Sequence, residues 1–311
     1  MRIAVLGTGA LGCLFASRLS RHADVWMLGT WRDSVRAASE RGVVVECGDG
    51  RRAIVAVQAA DDPLAAHGAD VALILVKAYQ TERAAHWAAQ CLHEDGIAIT
   101  LQNGIGPADR LARILGRARV FAGVTYQGAT VLGPAHIRHA GEGPTWLERR
   151  SPTPWQLQRF GALCQAAGIE VRWADDIAAV QWQKLIVNAA INPLTALWRV
   201  PNGDLLTHPS RRTLLRAVVN EAVEVAGELG QPFELESVLA AVERACQTSA
   251  ANRSSMLQDV EAGRPTEIDV INGAIVSAGR RIGIATPVNE TLCHLVKGMA
   301  PDLHDREVAD S

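Results

Sequence analysis

Lys184, Asn188 and Asn192 recur at four-residue intervals in the run from Gln181 to Pro193. On a helix such residues share one face. Around them stand Leu185, Ile186, Val187, Ala189, Ala190 and Ile191, so this face is a polar seam in apolar surroundings. An ammonium and two amides are costly to bury unpaired, and the seam is expected to face a buried polar cleft that holds an oxygen-rich ligand. Lys184 is then a candidate proton donor. The same spacing also fits a lysine that snorkels to solvent while the asparagines serve backbone groups, and the run alone leaves both open.

A second polar cluster runs from Asn252 to Asp269 and reads as a short helix, a turn and a helix start. Thr266 is placed to cap the next helix, with Glu267 and Asp269 in its first turn, where the dipole stabilises carboxylates. The functional alternative sets Glu267 beside Lys184, ordering the ammonium and a substrate hydroxyl, while Ser255 donates a hydrogen bond.

Phosphate chemistry is expected at the other end of the chain. Gly7, Thr8, Gly9, Ala10, Leu11 and Gly12 match GxGxxG directly after an apolar strand, Arg2 to Leu6, and open a helix through Leu19. The first glycine permits a tight turn, the second a close approach to pyrophosphate and the third helix packing on the strand. The second strand ends in Gly29, Thr30, Trp31, Arg32 and Asp33. No acid stands at the strand end to bind a ribose hydroxyl, and Thr30 and Arg32 suit a phosphate, which favours NADP; Asp33 keeps NAD open. Lys77 and Asn103 fall at carboxyl ends of later strands, where open α/β sheets bind ligands, although Lys77 alone also reads as surface charge.

The elements that must hold these residues follow from patterning. Short β-rich runs at Arg2–Leu6, Asp24–Leu28, Val71–Val76 and Gly96–Leu101 alternate with helical patterns, which predicts a doubly wound parallel sheet of Rossmann type. Residues 119–148 are expected to add strands that finish this domain. From Pro154 onward helices dominate, with one strand at Glu170–Trp173 and helical patterns at Ile177–Ile191, Ser210–Leu229, Leu235–Thr248, Glu267–Ile282 and Val288–Met299. The expected organisation is an α/β domain over residues 1–170 and a mainly α-helical domain over 171–311, with a polar tail after Pro301 that should fray.

The 311 residues, 48% of them hydrophobic, suffice for two cores. A formal charge of -2 gives no global attraction to nucleic acid or an anionic membrane. No apolar run is long and clean enough to suggest a membrane span, and the glycines of the first run argue against a signal peptide. Six scattered cysteines read as reduced thiols packed in the core, consistent with a cytoplasmic protein. The nine histidines form no HxxxH or HExxH pair, so no metal is expected. Trp182 and Trp198 read as packing residues. The apolar helices of the second half suit one core or a subunit interface, leaving monomer and homodimer open.

Together, Gly7 to Gly12, Lys77 to Gln80, Gln102 to Gly106, Trp182 to Asn188, Asn192 to Ala196, Pro201 to Gly203, Ser254 to Asp259 and Thr266 to Asp269 resemble the 2-dehydropantoate 2-reductase, or ketopantoate reductase, family. The resemblance runs from the first strand to about Pro287. It implies reduction of 2-dehydropantoate to pantoate with NADPH, on the route to pantothenate and coenzyme A. Lys184 resembles the family's general acid, and Glu267 its acidic residue at the ligand hydroxyl and the cofactor. Asn103, Asn188, Asn192, Asn202 and Ser255 match substrate contacts. Gly7 to Gly12, Lys77, Gln80, Asn103 and, through its backbone, Ala129 match cofactor contacts, and Arg32 is the cofactor candidate at the place where the chain departs from the family's pattern. Relatives often carry a basic residue nearer the strand end than Arg32. Two alternatives stay open: a reductase of another branched 2-oxoacid, and a non-catalytic NADP-binding sensor.

Overall fold

A computed structural model describes residues 1–48 and 50–299 of the chain. It divides into two compact units, Met1–Gln102 with Gly106–Val180, and Asn103–Ile105 with the chain from Gln181 onward.

The first unit begins with β1 (Arg2–Leu6), α1 (Ala10–Leu19), β2 (Asp24–Leu28) and α2 (Arg32–Arg41). Next come β3 (Val43–Glu46), β4 (Arg52–Val55), β5 (Gln58–Ala60), β6 (Ala69–Ile74), α3 (Thr81–Cys91), β7 (Leu92–Thr100) and α4 (Pro107–Leu115). It closes with β8 (Val120–Thr125), β9 (Gly128–Gly133), β10 (His136–Gly141), β11 (Thr145–Glu148), α5 (Trp155–Ala166) and β12 (Val171–Ala174). Eight strands form one sheet in the order β12-β11-β8-β7-β6-β1-β2-β5. β1 lies parallel between β2 and β6, Ile3 facing Val25 on one side and Val71 on the other. Strand alternation explains the two-sided burial. Ile3 and Val5 point to a core shared with Leu14 and Phe15 of α1, whereas Ala4 and Leu6 point to one shared with Ala84, Ala85 and Ala88 of α3.

Several features depart from the sequence expectation, among them β7, which begins at Leu92 and not at Gly96. Between residues 119 and 148 only β8 and β11 join the main sheet; β9 and β10 pair with β3 and β4 in a separate sheet, β4-β3-β10-β9. β6 also begins at Ala69, two residues before the expected Val71, because Ala69 is buried and paired with Leu92.

The second unit holds most of α6 (Ile177–Trp198), then α7 (Pro209–Glu228), α8 (Leu235–Thr248), α9 (Ser255–Glu261), α10 (Asn272–Ile282) and α11 (Pro287–Lys297). α6 does not stop near Ile191: it continues through the internal Pro193 to Trp198. Trp182 is buried, but Trp198 is exposed, with the Arg211 guanidinium 5.3 Å from its ring centroid. Ser254 caps α9, its Oγ accepting from Leu257 N–H and meeting Thr195 Oγ1 at 2.7 Å. The expected helix start at Glu267 is corrected: Glu267 precedes a single 3-10 turn, Ile268–Val270, and α10 begins only at Asn272. Among the described residues no helix is long and apolar enough to cross a membrane. The expectation of a frayed tail after Pro301 lies outside the described residues.

Candidate active site

In the first unit the three motif glycines occupy three different environments. Gly7 has φ +133, its N–H donates to Leu28 O at 2.8 Å, and a Cβ there would lie 2.9 Å from Leu75 backbone atoms. A Cβ on Gly12 would lie 1.9 Å from Gly7 O, so only glycine lets α1 pack against the turn. A Cβ on Gly9 meets nothing within 4 Å; this residue is the N-cap of α1, and the free backbone N–H groups of a helix N-terminus can receive an anion. Thr8 is buried and its carbonyl accepts from Ser34 Oγ at 3.0 Å, while Ala10 and Leu11 form the first turn of α1. A glycine turn of this geometry opening a helix is a general form of phosphate-binding turn.

The first unit also carries the other cofactor candidates. Arg32 opens α2, fully in solvent and 3.8 Å from Asp61. Asp33 pairs with Arg36 at 2.9 Å on the exposed face of α2. Arg83 of α3, which the sequence reading passed over, donates to Thr30 Oγ1 at 3.3 Å and adds a second arginine at the end of β2. Its signal is three-dimensional, since it lies 53 residues from Thr30. Lys77 precedes, and Gln80 ends, a short 3-10 turn after β6 (Ala78–Gln80), both half-buried. Ala129 lies on β9 opposite His139, in the smaller sheet. Gln102 braces the end of β7 through its amide, donating to Val76 O and Thr81 Oγ1 at 2.9 Å each.

The second unit joins three candidates directly. Lys184 Nζ donates to Asn103 Oδ1 at 2.9 Å, and Asn103 Nδ2 donates to Glu267 Oε2 at 3.2 Å. The amide fits this place because it accepts from a cation on one side and donates to an anion on the other. Asn103 reaches it on a loop docked to the 3-10 turn: Ile105 N–H donates to Val270 O at 3.3 Å. Gly104 has φ +84, and a Cβ there would stand 2.1 Å from the same oxygen. Glu267 is buried, 7% exposed. Burial pushes the Lys184 ammonium down to about 8, opposed by the negative charge of Glu267.

Asn188 and Asn192 stand one and two helical turns beyond Lys184, Asn188 half-buried and Asn192 buried. Asn202 is buried after α6; its Nδ2 donates to Ser249 Oγ at 2.9 Å, and its Oδ1 has no partner among the described residues. Ser255 is exposed at the first position of α9, and the neighbouring Ser254 takes the buried capping role. Lys184, Asn103 and Glu267 are therefore hydrogen-bonded into one group; Asn202 is bonded to Ser249 instead, and Ser255 is exposed.

Such an arrangement suits reduction of a carbonyl: an acidified ammonium held next to a carboxylate can stabilise and protonate a developing alkoxide. The family model described as ketopantoate reductase PanE/ApbA matches residues 3–152, and its C-terminal counterpart matches residues 176–300. The 2-dehydropantoate 2-reductase of Archaeoglobus fulgidus is 35% identical, over 97% of this chain and 99% of its own length. Among solved structures, a PanE/ApbA family ketopantoate reductase from Ralstonia eutropha is 33% identical with a TM-score of 0.88, over 96% of this chain and 98% of that one. D-mandelate dehydrogenase, solved with NADH and anilino(oxo)acetate, is 25% identical with a TM-score of 0.90 over the same shares.

Proposed function

This chain belongs to the ketopantoate reductase family, and we propose that it reduces 2-dehydropantoate to pantoate with NADPH, on the route to pantothenate and coenzyme A. The observation that carries this reading is the hydrogen-bonded series Lys184, Asn103, Glu267.

NADPH, when bound, supplies the hydride that reaches the keto carbon. The turn from Gly7 to Gly12 holds its phosphates, with Arg32 at the adenosine 2′-phosphate and Lys77, Gln80 and the Ala129 backbone along the rest. On this assignment residues 1–170 serve the cofactor and residues 171–311 the substrate. Lys184 binds the keto oxygen and passes it a proton as charge develops there. An ammonium held near 8 is still mostly protonated at neutral pH and gives up its proton more readily than an ordinary lysine. Glu267 keeps it charged, and Asn103 fixes the distance between them. Asn188, Asn192 and Ser255 bind the substrate's oxygens, and the unpartnered Oδ1 of Asn202 accepts from a substrate hydroxyl. Preference for NADPH over NADH rests on Arg32, with Arg83 and Thr30 beside it.

A second reading, reduction of a different 2-oxoacid, draws on the likeness to D-mandelate dehydrogenase. Rates of NADPH and NADH oxidation with 2-dehydropantoate, phenylglyoxylate and other branched 2-oxoacids separate the two. 2-Dehydropantoate with NADPH is expected to be fastest; a faster aromatic or other 2-oxoacid overturns the primary reading in favour of the second.

A further inference from the structure

Asn272 is fully buried at the first position of α10, and none of the roles above uses it. Its Nδ2 lies 3.1 Å from Ala189 O of α6 and 3.0 Å from Asn289 Oδ1 of α11. Inside an α-helix the Ala189 carbonyl would accept from the residue four places on, but that residue is Pro193, which has no N–H. A side-chain donor from α10 thus stands where the helix's own donor is missing. The amide orientation follows from its partners, since turning it over would set an oxygen against two oxygens. Asn289 Nδ2 in turn donates to Glu221 Oε2 at 2.8 Å, and Glu221 also accepts from the N–H groups of Val288 and Asn289.

The short segment from Glu267 to Asn272 therefore makes three attachments. Glu267 accepts from Asn103, Val270 O receives the Gly104–Ile105 loop, and Asn272 grips α6 between Asn188 and Asn192. Ala189 is five residues past Lys184, about one and a half helical turns. We infer that Asn272 is a positioning residue: by supplying the hydrogen bond that Pro193 withholds, it sets the Lys184, Asn188 and Asn192 seam in register with Asn103 and Glu267. This inference rests on the reading of Lys184 as proton donor. Removing the amide leaves a buried carbonyl unpaired and lets α6 shift at the proline, and a displacement of about 1 Å in a catalytic group can lower a rate about 10²-fold.

The test compares wild type, Asn272→Leu, Pro193→Ala and the double variant. Asn272→Leu is expected to lower kcat by about 10²-fold with the NADPH KM unchanged. Adding Pro193→Ala should recover most of that loss, because an alanine in place of the proline brings an N–H to the Ala189 carbonyl. A second readout follows the 13Cε resonances of the chain's three lysines, Lys77, Lys184 and Lys297, with Lys184→Met identifying the signal. In folded Asn272→Leu the Lys184 titration should move up from about 8 as the ammonium gains water, and return in the double variant. If Asn272→Leu does not fold, Asn272→Ser takes its place in both measurements. A folded variant with wild-type kcat and an unmoved Lys184 titration overturns the inference, as does a loss that Pro193→Ala leaves untouched. If wild type fails to reduce 2-dehydropantoate, the proposed function fails on its own, and the lysine titrations still decide whether Asn272 positions the seam.

Discussion

Two opposing influences set the acidity of Lys184: burial disfavours its charge and Glu267 favours it, and burial prevails, at about 8. If Lys184 is the proton donor proposed above, kcat/KM for reduction should be level below pH 8 and fall as pH rises through that value, since the proposed reaction needs the ammonium; oxidation of the alcohol should show the reverse slope. Glu267→Gln removes the influence that raises the Lys184 pKa, so its alkaline limb should move to lower pH. An unmoved limb in the pH-rate profile contradicts the assignment. The same shift bears on stability. Between about 8 and the ordinary lysine value the unfolded chain binds a proton that the folded chain does not, so this group's contribution to stability rises with pH across that window and is unfavourable below it. Buried thiols, Cys13 and Cys91 among them pushed up to about 12, act in the opposite sense. The difference between wild type and Lys184→Met in urea denaturation isolates the lysine: wild type should gain on the variant as pH passes 8, and a constant difference contradicts the burial account.

Elements deliver these side chains through contacts that differ in how visible they are to sequence reading. The GxGxxG turn was legible because each glycine answers a local demand: a positive φ at Gly7, an open approach at Gly9, a helix packed on the turn at Gly12. The Lys184 seam was legible from four-residue spacing. The start of α10 was not, because Thr266 and Glu267 make a plausible cap, while the chain instead uses a 3-10 turn whose Val270 carbonyl receives Ile105. The small sheet was hidden for a similar reason: its strands are four to six residues long, and β3 pairs with β10, about 90 residues away. Asn272 gave no signal at all, since its meaning depends on Pro193 in another helix. Gly104→Ala should therefore damage activity more than an exposed loop glycine would, because both its φ of +84 and the Val270 carbonyl oppose a Cβ. A kcat for this variant equal to wild type would mean the loop does not fix Asn103. Ser254→Ala should lower stability by about 1 kcal/mol through loss of the α9 cap, read as a shift in the urea midpoint.

Across the whole molecule, family membership extends over both units, since the two family models match residues 3–152 and 176–300. Cofactor binding to the native state alone should stabilise the protein by about 2.7 kcal/mol at a hundredfold excess over Kd. Thermal unfolding with NADPH and NADH at equal concentration therefore ranks the two cofactors; a larger shift with NADH contradicts the role given to Arg32. The central claim is that this chain reduces 2-dehydropantoate with Lys184 as proton donor. Its most direct test is the loss of nicotinamide absorbance when purified wild type and Lys184→Ala are given NADPH and 2-dehydropantoate. Rapid oxidation by wild type and a rate lower by about 10² to 10⁴ in a folded variant is the expected result. Near-normal turnover by Lys184→Ala, or no turnover by wild type that still binds NADPH, would contradict it.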